Sequence, residues 1–214
     1  MFKRISTLKV IDVLAGQPKL WDLFEEIFGA NKAKGNIYRG VITSRGKMLD
    51  FGCATGNTTA AFLDFDYYGI DINKNYIDRA KVKWAKYKNI RFFCANLLEK
   101  PFPDAFFDFV LFSGTGHHLN DKDVNLQMLE IYRILKMKGN LYFFDMIKSN
   151  RSQSLMPKLI ITVDRGKYVR NESEWLDLFK SFSGFSIIEK QLFSPSKTLF
   201  SQPDHLYLKL VKQP

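Results

Sequence analysis

Residues 48–63 read MLDFGCATGNTTAAFL. An apolar run ends in a carboxylate, Asp50, and two glycines, Gly52 and Gly56, follow within one short turn. Glycine lets a backbone approach a ligand closely, because no Cβ intervenes. Residues 58–63 are expected to form a helix, whose free N–H groups and partial positive charge would face the same spot. Pyrophosphate is the common guest of such a turn, but an anion at Asp50 would repel it. Asp50 suits an ammonium instead, met directly or through water. A second carboxylate, Asp71, closes the next apolar run, YYGIDIN. An acid there can accept hydrogen bonds from both hydroxyls of a ribose.

A ribose joined to an amino-acid head describes S-adenosylmethionine (SAM). Methyl transfer from a sulfonium asks mainly for alignment and exclusion of water, because the methyl is already activated. An oxygen or carbon nucleophile also needs a base. The segment SGTGHHLND, 113–121, supplies His117 and His118, two of the three histidines in the chain. They are the candidate catalytic residues, since imidazole takes up a proton near neutral pH. The alternative is structural, with one ring bracing the loop and the other packing under the next helix. Tyr38 and Asp145 are the candidate substrate-binding residues, although Asp145 also reads as a satisfied strand-end carboxylate. Arg45 is a weaker candidate to close over the cofactor. No N/D-P-P-Y stretch follows residue 113, no Pro-Cys pair offers a nucleophile, and no cluster of acids and histidines has metal-ligand spacing.

These groups must be positioned by strands that end at one edge. Strands are expected at 47–50, 67–70, 90–95, 107–113 and 140–146, with helices at 58–63, 75–87 and 124–135 between them. This alternation implies a parallel sheet covered on both faces, and FFDFVLFS and NLYFFDMI are apolar throughout, as central parallel strands are. A helix at 173–182, capped by Ser173, precedes strands at 185–193 and 205–211, an antiparallel pair at the sheet edge. The expected fold class is α/β: a Rossmann-like, mostly parallel seven-stranded sheet with helices on both faces and an antiparallel C-terminal edge hairpin. Residues 1–46 are expected to be a helical cap, with an amphipathic stripe in PKLWDLFEEIFGA, and residues 47–214 the cofactor-binding domain.

The chain resembles the class I SAM-dependent methyltransferases, in particular the ubiquinone/menaquinone-type, or type 11, group. LDFGCATGNTT resembles the family's first motif, LDxGCGTG, and YGIDIN its second-strand motif. RFFCANLLEKPFPDAFFDFVLFSGTGHHL and EIYRILKMKGNLYFFDM resemble the third to fifth strands with their connections. The likeness covers residues 46–150 and extends to the last two strands by order only. It implies SAM as cofactor, with S-adenosylhomocysteine as product. By position, Asp50, Gly52, Cys53, Ala54 and Gly56 would line the methionine and sugar portion. Asp71 would take the ribose, with Ile72 against the adenine and Asn96 and Leu97 beside its ring. Ser113 and Gly114 would lie under the sulfonium. Ala54 stands where the family has glycine, and Asn96 where an aspartate is common.

The whole chain has 214 residues, 46% hydrophobic and 25% charged, which is ordinary globular composition. Its net charge is +10 and its pI about 9.5. The densest basic cluster, Lys74, Arg79, Lys81, Lys83, Lys86, Lys88 and Arg91, follows one expected helix and reads as a solvated face. No apolar run reaches the roughly 18 residues of a membrane span, and the basic-then-apolar start is interrupted by Lys9 and Asp12. Cys53 and Cys94 lack metal or redox spacing and fall in expected core elements, so a cytoplasmic location is expected. A short segment at 148–172 leaves little to enclose a polymer, so the expected acceptor is a small molecule, aromatic, quinone-like or lipid-like. An RNA-directed methyltransferase and a non-catalytic SAM-binding protein are the alternatives. An NAD enzyme is disfavoured by Asp50 and by the missing G-x-G-x-x-G.

Overall fold

The computed structural model describes residues 30–43, 45–148, 166–193 and 203–214. The expected amphipathic helix at 18–28 lies outside them. The described elements are helix α1 (Ala30–Val41), strands β1 (Lys47–Phe51) and β2 (Asp66–Asp71), helix α2 (Lys74–Trp84), strands β3 (Ile90–Cys94) and β4 (Phe107–Ser113), helix α3 (Asp121–Ile134), strand β5 (Leu135–Met146), helix α4 (Glu172–Lys180), and strands β6 (Phe185–Phe193) and β7 (His205–Lys212).

The seven strands form one sheet in the order β3-β2-β1-β4-β5-β7-β6. The first five are parallel, and β7 pairs antiparallel to both β5 and β6. Strand alternation divides the central side chains between two cores. Leu49, Val110, Phe112, Leu141 and Phe143 meet α3 and α4 through Val124, Met128, Ile131, Trp175 and Phe179. Met48, Phe109, Leu111, Tyr142 and Phe144 meet α1 and α2 through Tyr38, Ile42, Ile77 and Ala80. This two-sided burial is why β4 and β5 read as unbroken apolar runs.

Three local expectations are corrected. The helix at 58–63 is only a 3₁₀ turn, Thr59–Ala61. The chain must reach β2 within a few residues, and Phe62 and Phe65 are pulled into the core at 1% and 2% exposure, their rings edge to face at 5.4 Å. The cap of α4 is Asn171, which accepts from the Glu174 N–H while the Glu174 side chain accepts from the Asn171 N–H. Cys94 is exposed, because β3 is an edge strand whose outer positions face solvent. The basic run does lie along the exposed side of α2, opposite Ile77 and Ala80, with Lys74 paired to Asp78 and Arg91, on β3, to Asp66.

Candidate active site

The carboxyl ends of β1, β4 and β5 open at one edge of the sheet. Since β7 runs the other way, its first residue reaches that edge too, where His205 pairs with Met146. A cavity of about 120 Å³ lies between these ends and α1.

Asp50 forms one wall. It is 3% exposed, and its Oδ2 accepts the Tyr67 hydroxyl at 2.6 Å. Burial pushes its pKa up to about 6; the Tyr67 hydrogen bond opposes this and the charge of Asp71 adds to it. The turn after it holds three residues in the left-handed region, Gly52 (φ 78), Ala54 (φ 47) and Gly56 (φ 69). The N–H groups of Gly52 and Cys53 both donate to the Ile70 carbonyl, and the Ala54 N–H donates to Asp71 Oδ2 at 3.0 Å. Burial also raises the pKa of the Cys53 thiol, with Asp50 and Asp71 adding to the shift.

The two glycines are explained by protein contacts. A Cβ at Gly52 would lie 2.1 Å from Thr115 Oγ1, so this glycine lets the loop after β4 close on the turn. A Cβ at Gly56 would lie 2.9 Å from Trp84 Nε1, which donates to the Gly56 carbonyl. Gly52 lines the cavity but Gly56 does not. Gly56 packs against α2 through Trp84 and stands beside the cavity rather than in its lining.

The other expected cofactor residues fall into two groups. Cys53, Ala54, Ser113 and Gly114 line the cavity with Asp50 and Gly52. Asp71, Ile72 and Asn96 stand outside it, at the ends of β2 and β3. Asp71 Oδ1 accepts the Asn73 N–H at 2.8 Å, and burial raises its pKa. Ile72 is 77% exposed, an apolar side chain presented to solvent beside that carboxylate. Asn96 Oδ1 accepts the Leu98 N–H and caps the Leu97–Glu99 turn. Leu97, by contrast, is buried in the core at 1% exposure, so its side chain belongs to the fold.

Tyr38 projects from α1 into the cavity, with its hydroxyl 2.5 Å from Ser113 Oγ and its ring edge to face with Phe144. Arg45 does not close over the site. It pairs with Asp64 and covers Phe65.

His117 and Asp145 form a buried pair. Asp145 Oδ1 is 2.5 Å from His117 Nδ1, and its Oδ2 accepts the His117 backbone N–H at 3.0 Å. Asp145 Oδ1 also accepts the Met146 N–H. Despite complete burial, the Asp145 pKa is lowered, because His117 and His205 and these hydrogen bonds outweigh desolvation. Both its oxygens are hydrogen-bonded within the protein, and Asp145 also lines the cavity. Gly116 permits this, since a Cβ there would lie 2.8 Å from Asp145 Oδ2. Arg170 fixes the same loop by donating to the Gly116 and Leu119 carbonyls and to Asp121. His118 is exposed, with its ring 4.1 Å from that of His117.

Lys34 and His205 are among the cavity residues that escape the sequence reading. Lys34 enters from α1, its Nζ 4.0 Å from where a Gly114 Cβ would stand. His205 is 5% exposed and held near pKa 4, by burial first and then by Lys34. Among the described residues no group of three acids, histidines or cysteines is arranged to hold a metal, and no helix is long and apolar enough to cross a membrane.

The sequence and fold have known counterparts. Residues 49–143 match the family model described as a methyltransferase domain. A demethylmenaquinone methyltransferase from Geobacillus is 33% identical over 100 residues, covering 44% of this chain and 42% of the relative. A protein of Methanocaldococcus jannaschii is 40% identical over 95 residues, covering 44% of this chain and 38% of the relative. The chain thus aligns with about two-fifths of each relative's length. The N-methyltransferase NodS from Bradyrhizobium japonicum shares the fold at TM-score 0.66 and 14% identity, covering 87% of this chain and 97% of NodS. The cyclase SpnF does so at TM-score 0.69 and 16% identity, covering 86% and 80%. Residues 49–143 are thus similar to a methyltransferase domain, and the seven-stranded fold is shared with these solved structures.

Proposed function

We propose that the protein transfers the methyl group of SAM to a small-molecule acceptor by direct in-line displacement. The observation that carries this reading is Asp50. A carboxylate buried at a cavity wall, with its pKa raised, is incompletely compensated, and an ammonium completes it where a phosphate would not. Asp71 would accept from the ribose hydroxyls, and Ile72 and Asn96 would hold the adenine. Ser113, held by Tyr38, and Gly114 would take the sulfonium end. Lys34 would pair with the methionine carboxylate. A quinone-like acceptor agrees with the activity named for the Geobacillus relative.

Bound SAM supplies a methyl already activated by its sulfonium. The protein contributes alignment and a dry site. His117, oriented by Asp145 through two contacts, holds or moves a proton at the acceptor end, and His118 stands at the mouth. Alanine at His117 is expected to slow turnover by about 10²-fold or more while leaving SAM affinity near the native value; unchanged turnover would make the pair a loop brace only.

The test of the cofactor assignment is a thermal-unfolding titration with SAM, S-adenosylhomocysteine and NAD. A ligand at 100 times its Kd adds about 2.7 kcal/mol and raises the midpoint by a few degrees. Shifts with both SAM forms and none with NAD are expected. Absence of a shift with either SAM form would withdraw the reading. The +10 charge gives RNA a specific test as the second acceptor class: affinity for RNA that falls steeply with added salt would favour it.

A further inference from the structure

All three histidines of the chain, His117, His118 and His205, line the same cavity. The proposed chemistry uses the first two and leaves His205 without a role. Its ring stacks on Phe144 with centroids 5.1 Å apart, and its Nδ1 lies 2.8 Å from the Pro203 carbonyl oxygen. A carbonyl only accepts, so the proton of the neutral ring sits on Nδ1 and the lone pair on Nε2. Burial and the Lys34 cation keep the ring neutral, while Asp145, already bound to His117, faces it as the nearby anion. A buried ring that stays neutral, with its tautomer fixed by the backbone, is a fixed hydrogen-bond acceptor.

We propose that His205 recognises the methyl acceptor through its Nε2, and that the acceptor presents a hydroxyl group to this cavity. The proposal rests on the methyl-transfer reading above and adds the acceptor's class. A hydroxyl donates one hydrogen bond and is neutral. An alkyl ammonium would add a further positive charge beside Lys34 and, in the reaction, the sulfonium. The acceptor oxygen forms a bond to the methyl carbon as the C–S bond breaks, with its electron pair staying on sulfur. The O–H proton passes to His117, the group proposed above to move it, and from there to solvent. The positive charge lost from sulfur thus appears on that imidazole, and no other reactant is needed.

The experiment loads the full-length protein with S-adenosylhomocysteine and titrates it with 4-methylphenol and toluene at neutral pH, where the phenol is un-ionised. The two probes differ in one hydroxyl. The phenol is expected to bind about tenfold more tightly, as one buried hydrogen bond requires. His205→Phe, which keeps the stack on Phe144, is expected to abolish that preference, and His205→Gln, which returns an oxygen near the Nε2 position, to restore most of it. His205→Ala replaces the phenylalanine variant if that one does not unfold cooperatively. Equal binding of the probes, binding of neither, or a preference that survives loss of the ring would overturn the proposal. Binding of S-adenosylhomocysteine by the wild type separates the two readings. Its absence removes methyl transfer altogether, whereas its presence without a phenol preference removes only the hydroxyl acceptor.

Discussion

Asp50 carries two opposed demands. Its burial beside Tyr67 destabilises the charged form, and the same burial makes the carboxylate a strong partner for an ammonium. Its folded pKa of about 6 lies above the ordinary aspartate value of 3.8, so the folded protein holds this proton more tightly than the unfolded chain. Above pH 6 the ionised group therefore costs stability, on the order of 2–3 kcal/mol. Asp50→Asn, which still accepts from Tyr67, is expected to raise denaturant-measured stability at pH 8 and to weaken SAM binding by about tenfold or more. Wild-type SAM affinity should fall as the pH drops below about 6, and calorimetry on the asparagine variant should show no such fall. The site is only partly legible at this scale. Asp50, Ser113 and the histidine pair announce themselves by standing where strands end. Gly56 is ambiguous in sequence, because a glycine there looks the same whether it yields to a ligand or to Trp84. Lys34 and His205 are hidden because one lies in a helix of unknown docking and the other at the start of a strand whose partner and register no local pattern states.

The turn from β1 is the element on which the site depends, and its conformation is set by neighbours on both sides. Ala54 occupies a left-handed position, φ 47, that disfavours a side chain. Ala54→Gly is expected to stabilise the protein by up to about 1 kcal/mol, less the entropy that glycine adds to the unfolded chain. Gly52→Ala should do the reverse. It adds a methyl at φ 78 that would meet Thr115 Oγ1 at 2.1 Å, and a loss of about 2–4 kcal/mol with a weakened SAM response in thermal unfolding is expected. A Gly52→Ala protein with native stability would mean that the loop after β4 moves aside freely. Among elements, the strands were legible because burial on both faces leaves unbroken apolar runs in β4 and β5. The 58–63 helix was not, since TTAAFL has helical composition and only the short tether to β2, with Phe62 and Phe65 drawn inward, cuts it to one 3₁₀ turn.

Across the whole molecule, the cavity joins two buried ionisable groups whose pKa values move in opposite senses. His205 goes from 6.5 down to about 4, and Asp50 from 3.8 up to about 6. Between pH 4 and 6 the unfolded chain holds a proton on the histidine that the folded protein lacks, so this group makes stability rise with pH. In the same window the folded protein holds a proton on Asp50 that the unfolded chain lacks, so that group makes stability fall with pH. Each contributes on the order of 2–3 kcal/mol across its range, and the two nearly cancel. Removing one should expose the other. Asp50→Asn is expected to gain stability steadily from pH 4 to 6.5, His205→Phe to lose it from pH 4 to 6, and the double variant to return to the wild-type slope. Urea denaturation at a series of pH values measures this, and the other carboxylates drop out because all four proteins share them. Parallel curves for the wild type and both single variants would mean that neither group is sealed from water as the fold places it. Divergent curves would mean that the domain has arranged a neutral base and a poised acid in one cavity with little net effect on its stability near pH 5. Above pH 6 the same arrangement leaves Asp50 ionised and His205 neutral, the states that binding an ammonium and accepting a hydrogen bond from a hydroxyl require.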